Sequence, residues 1–147
     1  MTRQPYTEAI RERVIVFDGA FGTFVQGLDL GADDFGGPSL EGCNEMLTLT
    51  RPDVIEAMHR AFLDAGVDAI ETASFGSFST VLTEYDIPEK AYELNVAAAS
   101  IARRVADEYE SKDGRPRYVA GSIGPGTKLP SLGHITFAEL QIGRAHV

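Results

Sequence analysis

Val14-Ile15-Val16-Phe17-Asp18-Gly19, near the amino end of the 147-residue chain, is an unbroken apolar run that stops at a carboxylate and a glycine. Such a run fits a strand buried on both faces of a parallel sheet better than a half-exposed hairpin strand. Two later stretches follow the same plan. Val67-Asp68-Ala69-Ile70-Glu71-Thr72 comes directly after one helical pattern, and Arg117-Tyr118-Val119-Ala120-Gly121-Ser122-Ile123 after a longer one. The order strand, helix, strand, helix, strand specifies an α/β architecture with a parallel sheet. A doubly wound sheet and a (β/α)8 barrel begin identically, so periodicity leaves both open. In either, ligands bind at the carboxyl ends of the strands. Here those ends carry Asp18, Glu71-Thr72 and Ser122.

The helical patterns are read from their caps and apolar spacing. Residues 6–13 predict a short charged helix. Thr50-Arg51-Pro52-Asp53 predicts a helix start, with Thr50 as hydroxyl cap, Pro52 where a missing N–H is harmless, and Asp53 favouring the dipole. Val54, Ile55, Met58, Ala61, Phe62 and Ala65 mark its apolar face, Gly66 closes it, and His59 among charged neighbours reads as surface. Residues 77–85 predict a short helix cut by Pro88. The longest helix is expected over residues 89–111, where Ala91, Leu94, Ala98, Ile101 and Val105 recur at steps of three and four. Residues 30–39, rich in Gly, Asp and Pro, read as a loop, and a further helix begins near Thr136.

Composition narrows the partners. A net charge of -9 leaves no basic stripe for nucleic acid or an anionic membrane surface. No apolar run approaches the roughly 20 residues of a membrane span, and the first residues lack a signal peptide's apolar stretch. The single cysteine, Cys43, cannot form an internal disulfide, so a cytoplasmic protein is expected.

Asp18-Gly19-Ala20-Phe21-Gly22-Thr23 combines a carboxylate able to hold an ammonium group with glycines that expose backbone N–H groups to a carboxylate. Together they suit an amino acid, although Asp18 would equally serve as a cap for the next helix. The Gly-x-x-Gly spacing is not the dinucleotide fingerprint. Glu71 is a second carboxylate on the same edge, as a substrate contact or as a hydrogen-bonded strand end. Ser122-Ile123-Gly124-Pro125-Gly126-Thr127-Lys128 resembles a phosphate nest but lacks the P-loop spacing, so a structural turn is the better reading. Cys43 and the histidines His59, His134 and His146 offer no metal-ligand spacing, and no complete catalytic constellation is visible.

Five ordered blocks carry a resemblance: residues 16–23, Gly42-Cys43-Asn44-Glu45-Met46-Leu47, Thr50-Arg51-Pro52-Asp53-Val54-Ile55, residues 65–72, and Ala120-Gly121-Ser122-Ile123-Gly124-Pro125. Collinearly from about residue 14 to 140, the chain resembles the homocysteine-binding domain of cobalamin-dependent methionine synthases. The resemblance implies an α/β fold comprising the first three or so strand-helix units of an incomplete (β/α)8 TIM barrel. It implies homocysteine as substrate, a zinc ion held by three cysteine thiolates, methyl transfer from methylcobalamin, and recharging by methyltetrahydrofolate on later modules. Carried over, Asp18 anchors the substrate amino group, Gly19 and Ala20 present backbone to its carboxylate, and Glu71 matches the family's Glu-Thr. Where the family often continues Asn-Thr-Phe, this chain has Ala73-Ser74-Phe75, so Ala73 is assigned no contact. The zinc cysteines belong to later strands and Cys43 does not match them, so neither zinc nor cobalamin is expected on this piece.

Residues 141–147 back-translate to the opening of a common sequencing adapter read in frame. Residues 1–140 are therefore expected to be the natural, amino-terminal part of the barrel domain, and 141–147 an artefactual tail. A full barrel takes about 250 residues. A piece with open sheet edges is expected to be marginally stable and inactive by itself. The alternatives are a cobalamin-independent homocysteine methyltransferase using betaine or S-methylmethionine, a non-catalytic amino-acid-binding module, and an unrelated phosphate-binding domain.

Overall fold

The computed structural model describes the backbone of residues 3–145 and the side chains of residues 3–141; His146 lies outside the described residues. In chain order the elements are α1 (Tyr6–Glu12), α2 (Phe21–Gln26), α3 (Leu47–Thr50), α4 (Pro52–Asp64), β1 (Ala69–Glu71), α5 (Ser79–Leu82), α6 (Ala91–Asp113), β2 (Tyr118–Ala120) and α7 (Phe137–Ala145). Short 3-10 turns connect several of them, two within the expected loop at 30–39.

β1 and β2 pair in parallel, with Ala69 opposite Tyr118, Ile70 opposite Val119 and Glu71 opposite Ala120. The opening run joins β1 through one parallel bridge, Phe17 to Ala69, with the Asp18 N–H donating to the Ala69 carbonyl at 3.1 Å. It is not the doubly buried strand its sequence suggests. Val14 is 82% exposed and Val16 51%, because no described element pairs with its outer edge. The spatial order is nonetheless sequential: opening run, β1, β2. That order excludes the 2-1-3 start of flavodoxin-like sheets, while a barrel and a 3-2-1 sheet both satisfy it.

Alternation along the strands divides two faces. Ile70 and Val119 pack with Ile55 and Leu63 of α4 and with Ile101 and Val105 of α6. Ala69 and Tyr118 face the other way, against Ala9 of α1 and Ile15. Tyr6 of α1 sets its ring edge-on to Tyr118 at 5.5 Å and Phe17 at 6.2 Å. Asp68, immediately before β1, ties the layers together. Its buried carboxylate accepts the Val16 N–H at 3.0 Å and pairs with Arg13 at 2.8 Å and Arg115 at 3.4 Å. Burial pushes that carboxyl upward, but the N–H and the two guanidiniums outweigh it, leaving Asp68 below the ordinary range.

Two helix readings need correction. Thr50 does not cap α4: α3 runs directly into it, so the Thr50 hydroxyl donates backward to the Met46 carbonyl at 3.0 Å. Arg51 occupies the cap position without a side-chain cap bond and clamps Asp53 at 2.7 Å. His59 is not surface but fully buried, and Ala61 and Ala65 are exposed instead. The cause is that α4 is enclosed by α2, α3, α6 and β1, so its buried stripe runs through Ile55, His59 and Leu63. α6 ends as its sequence implies: Gly114, with φ +71°, donates its N–H to the Glu110 carbonyl at 2.8 Å. No described helix is long and apolar enough to cross a membrane.

Candidate functional site

The carboxyl ends of the three parallel segments are laced to one another by side chains. Asp18 Oδ1 accepts the Glu71 N–H at 2.8 Å, and Glu71 Oε2 accepts the Ser122 hydroxyl at 2.8 Å. Behind them, the Ser122 N–H donates to Thr72 Oγ1 at 3.0 Å, and the Ser74 hydroxyl donates to the Ser122 carbonyl at 2.9 Å. The buried Thr72 and Ser74 hydroxyls lie 2.6 Å apart. The strand ends are therefore tied to one another across the sheet, and the end of β1 also to its own loop through Ser74.

At this edge opens a cleft of about 460 Å³, whose lining includes Asp18, Gly19, Ala20, Glu71 and Ser122 together with Asn44, Glu45 and Phe75. All four residues singled out in the sequence, Asp18, Gly19, Ala20 and Glu71, line it together. Ala20 has φ +55°, a left-handed conformation that costs a non-glycine residue roughly 1–2 kcal/mol. It turns the chain from the sheet into α2 beside the cleft.

The charged side chains lining the cleft are Asp18, Glu45 and Glu71, with no Lys, Arg or His among them. Burial pushes the Asp18 carboxyl up to about 6, and the nearby negative charge of Glu71 adds to this, while the Glu71 N–H opposes it. The arrangement favours a cationic group, which would draw Asp18 back into its ionised form.

Sequence reasoning assigned no role to Asn44, Glu45 and Phe75. The first two lie in the block 42–47, whose signal was resemblance without a chemical reading. They reach the cleft because the 3-10 turn Asn44–Met46 stands against the loop after β1. The loop after β2 also finds its explanation here. Gly124 donates its N–H to the Phe75 carbonyl at 2.8 Å, and a Cβ there would lie 2.6 Å from the Phe75 ring. The glycine permits close packing on Phe75, in keeping with a structural turn. The Thr127 hydroxyl bonds to the Glu84 carboxylate.

The described residues do not fit a zinc site. Among them no three His, Cys, Asp or Glu side chains are grouped to hold a metal ion. Cys43 is buried, and burial, with the Glu45 charge beside it, pushes its thiol up to about 11, away from the thiolate that metal binding needs.

A strand-end Asp-Gly beside a Glu-Thr on one acidic cleft coincides with a match to the family described as homocysteine S-methyltransferase, over residues 15–143. The chain belongs to this family. It is 52% identical over 134 residues to a methionine synthase of Mycobacterium tuberculosis (strain ATCC 25618 / H37Rv), covering 91% of this chain and 11% of that protein. A methionine synthase of Mycobacterium leprae (strain TN) is 52% identical over 130 residues, covering 88% and 10%. The chain thus spans about a tenth of these curated relatives. Among solved structures, the metallated form of the homocysteine methyltransferase MmuM from Escherichia coli superposes with a TM-score of 0.66 at 21% identity, covering 83% of this chain and 42% of that one. The oxidized form gives 0.67 at 20% identity, covering 82% and 41%. At such identity the likeness is one of fold.

Proposed function

We propose that residues 1–140 are the amino-terminal part of a homocysteine-binding (β/α)8 TIM barrel, the first three or so strand-helix units, within a longer cytoplasmic methyltransferase of methionine biosynthesis. The cleft holds the amino-acid end of homocysteine. Asp18 takes the ammonium group, the backbone at Gly19 and Ala20 faces the carboxylate, and Glu71 supplies a second negative charge held in place by Ser122. The observation that carries this reading is the convergence of Asp18, Glu71 and Ser122, from three successive strand ends, on one cleft lined by carboxylates. Family membership, sequential strand order and the likeness of fold support the barrel.

In the reaction the homocysteine sulfur gains a methyl group and loses its proton, giving methionine. Zinc and cobalamin, together with the methyltetrahydrofolate and cobalamin modules, belong to parts of the longer protein outside residues 1–140. What these residues contribute is orientation: an ammonium anchored at Asp18 directs the thiol end away from the strand edge. The 52% identity to methionine synthases favours methylcobalamin as donor over betaine or S-methylmethionine.

The test is a chimera. The matched segment of the M. tuberculosis relative is replaced by the corresponding residues of this chain, and methionine formation is assayed. Activity within about tenfold of the parent is the expected result, since substituting one functional barrel segment for another preserves the transition-state contacts. A folded chimera that binds no homocysteine would sink the reading.

A further inference from the structure

Phe75, in the loop after β1, lines the cleft together with Glu45, and the Glu45 carboxylate is one of the groups that tie that loop down. Glu45 Oε1 accepts the backbone N–H of Gly76 at 2.8 Å, joining segments 31 residues apart in sequence. A Cβ at position 76 would lie 2.8 Å from Oε1 and 3.0 Å from Cδ, so a side chain there would push the carboxylate aside. From the opposite side Gly124 holds the same loop through the Phe75 carbonyl and leaves room for the Phe75 ring. Phe75, 52% exposed, is thereby pinned from both sides and lines the cleft. No ion pair among the described residues involves Glu45. The contact its carboxylate makes is the hydrogen bond it accepts from the Gly76 N–H.

We propose that Glu45 is a positioning residue: by holding Gly76 it fixes Phe75 as the apolar wall against the side-chain methylenes of the bound amino acid, and so sets discrimination by side-chain length. This rests on the amino-acid reading of the cleft. A wall held by hydrogen bonding needs an acceptor at position 45, not a charge. Glu45→Gln keeps an acceptor oxygen, whereas Glu45→Ala removes it, and Gly76→Ala displaces the carboxylate.

The experiment measures KM and kcat for homocysteine, and competitive inhibition by the shorter thiol cysteine, in the mycobacterial chimera. Glu45→Ala and Gly76→Ala should each raise the homocysteine KM about tenfold and narrow the preference over cysteine. The kcat should stay within about twofold, and Glu45→Gln should stay near the unsubstituted chimera. In hydrogen exchange, Glu45→Ala should deprotect the peptide containing Gly76 while α4 and α6 stay protected. Equal damage from Glu45→Gln and Glu45→Ala would make charge the operative property and overturn the proposal. So would an unchanged KM and preference in Glu45→Ala, or deprotection spread across α4 and α6. An inactive but folded unsubstituted chimera overturns the amino-acid reading together with this inference. An active one indifferent to Glu45 overturns the inference alone.

Discussion

Asp18, half-buried at the cleft, and His59, fully buried, are two titratable groups whose surroundings give opposite lessons. Asp18, raised to about 6, is ionised above that pH and protonated below it. An ammonium ligand binds the ionised form, so affinity should hold above pH 6 and fall about tenfold per pH unit well below it. Asp18→Asn should raise KM by one to two orders of magnitude, roughly the loss of a charge-assisted hydrogen bond, and abolish that pH dependence. A pH profile of kcat/KM in the chimera checks both. Among the described residues neither ring nitrogen of His59 has a hydrogen-bond partner, and burial lowers its pKa from 6.5 to about 4. The unfolded chain therefore takes up the proton first. The stability from keeping His59 neutral is complete above 6.5 and is lost as pH falls toward 4, amounting to about 3 kcal/mol. His59→Leu should remove that part of the acid sensitivity, seen as a smaller difference between urea midpoints at pH 7.5 and pH 5. An unaltered difference would show that His59 has a partner. The place of Asp18 at a strand end was legible in the sequence because it follows from the local apolar run, whereas its use as anchor or helix cap was not. His59 was not, because burial depends on what surrounds a helix.

Among the elements, the longest helix was the most readable, since its three-and-four spacing coincides with the buried Ala91, Leu94, Ala98, Ile101 and Val105. The opening run was the least readable. Its composition asks for two covered faces, and cover comes from neighbours, not from the run itself. Besides its backbone bonds to β1, the run is tied down by the Asp68 carboxylate, whose contacts with Val16, Arg13 and Arg115 were invisible in the sequence because they join residues about 50 apart. Asp68→Ala leaves the Val16 N–H without its acceptor and two guanidiniums without their partner. It should destabilise the protein by about 2–3 kcal/mol, measured by urea titration. Asp68→Asn should cost less if the Val16 bond dominates. A loss below about 0.5 kcal/mol in the alanine variant would show that the opening run is held by something else.

Among the described residues, the exposed Val14, Val16, Ile123, Leu132 and Phe137 and the unpaired outer edge of the opening run leave apolar surface and strand edge in water. The 147-residue polypeptide should therefore unfold at low urea with a broad transition and associate as its concentration rises. A sharp, concentration-independent transition would contradict this. The sequence by itself determined the α/β class, the parallel sheet and the strand-end residues Asp18, Glu71 and Ser122, because strand and helix periodicity and local turn chemistry are properties of neighbouring residues. Tertiary structure alone decided that these ends share one cleft, that Glu45 and Phe75 line it with them, and that His59 is buried. Those facts depend on contacts between segments tens of residues apart, where burial and hydrogen bonding are set by packing rather than by local pattern.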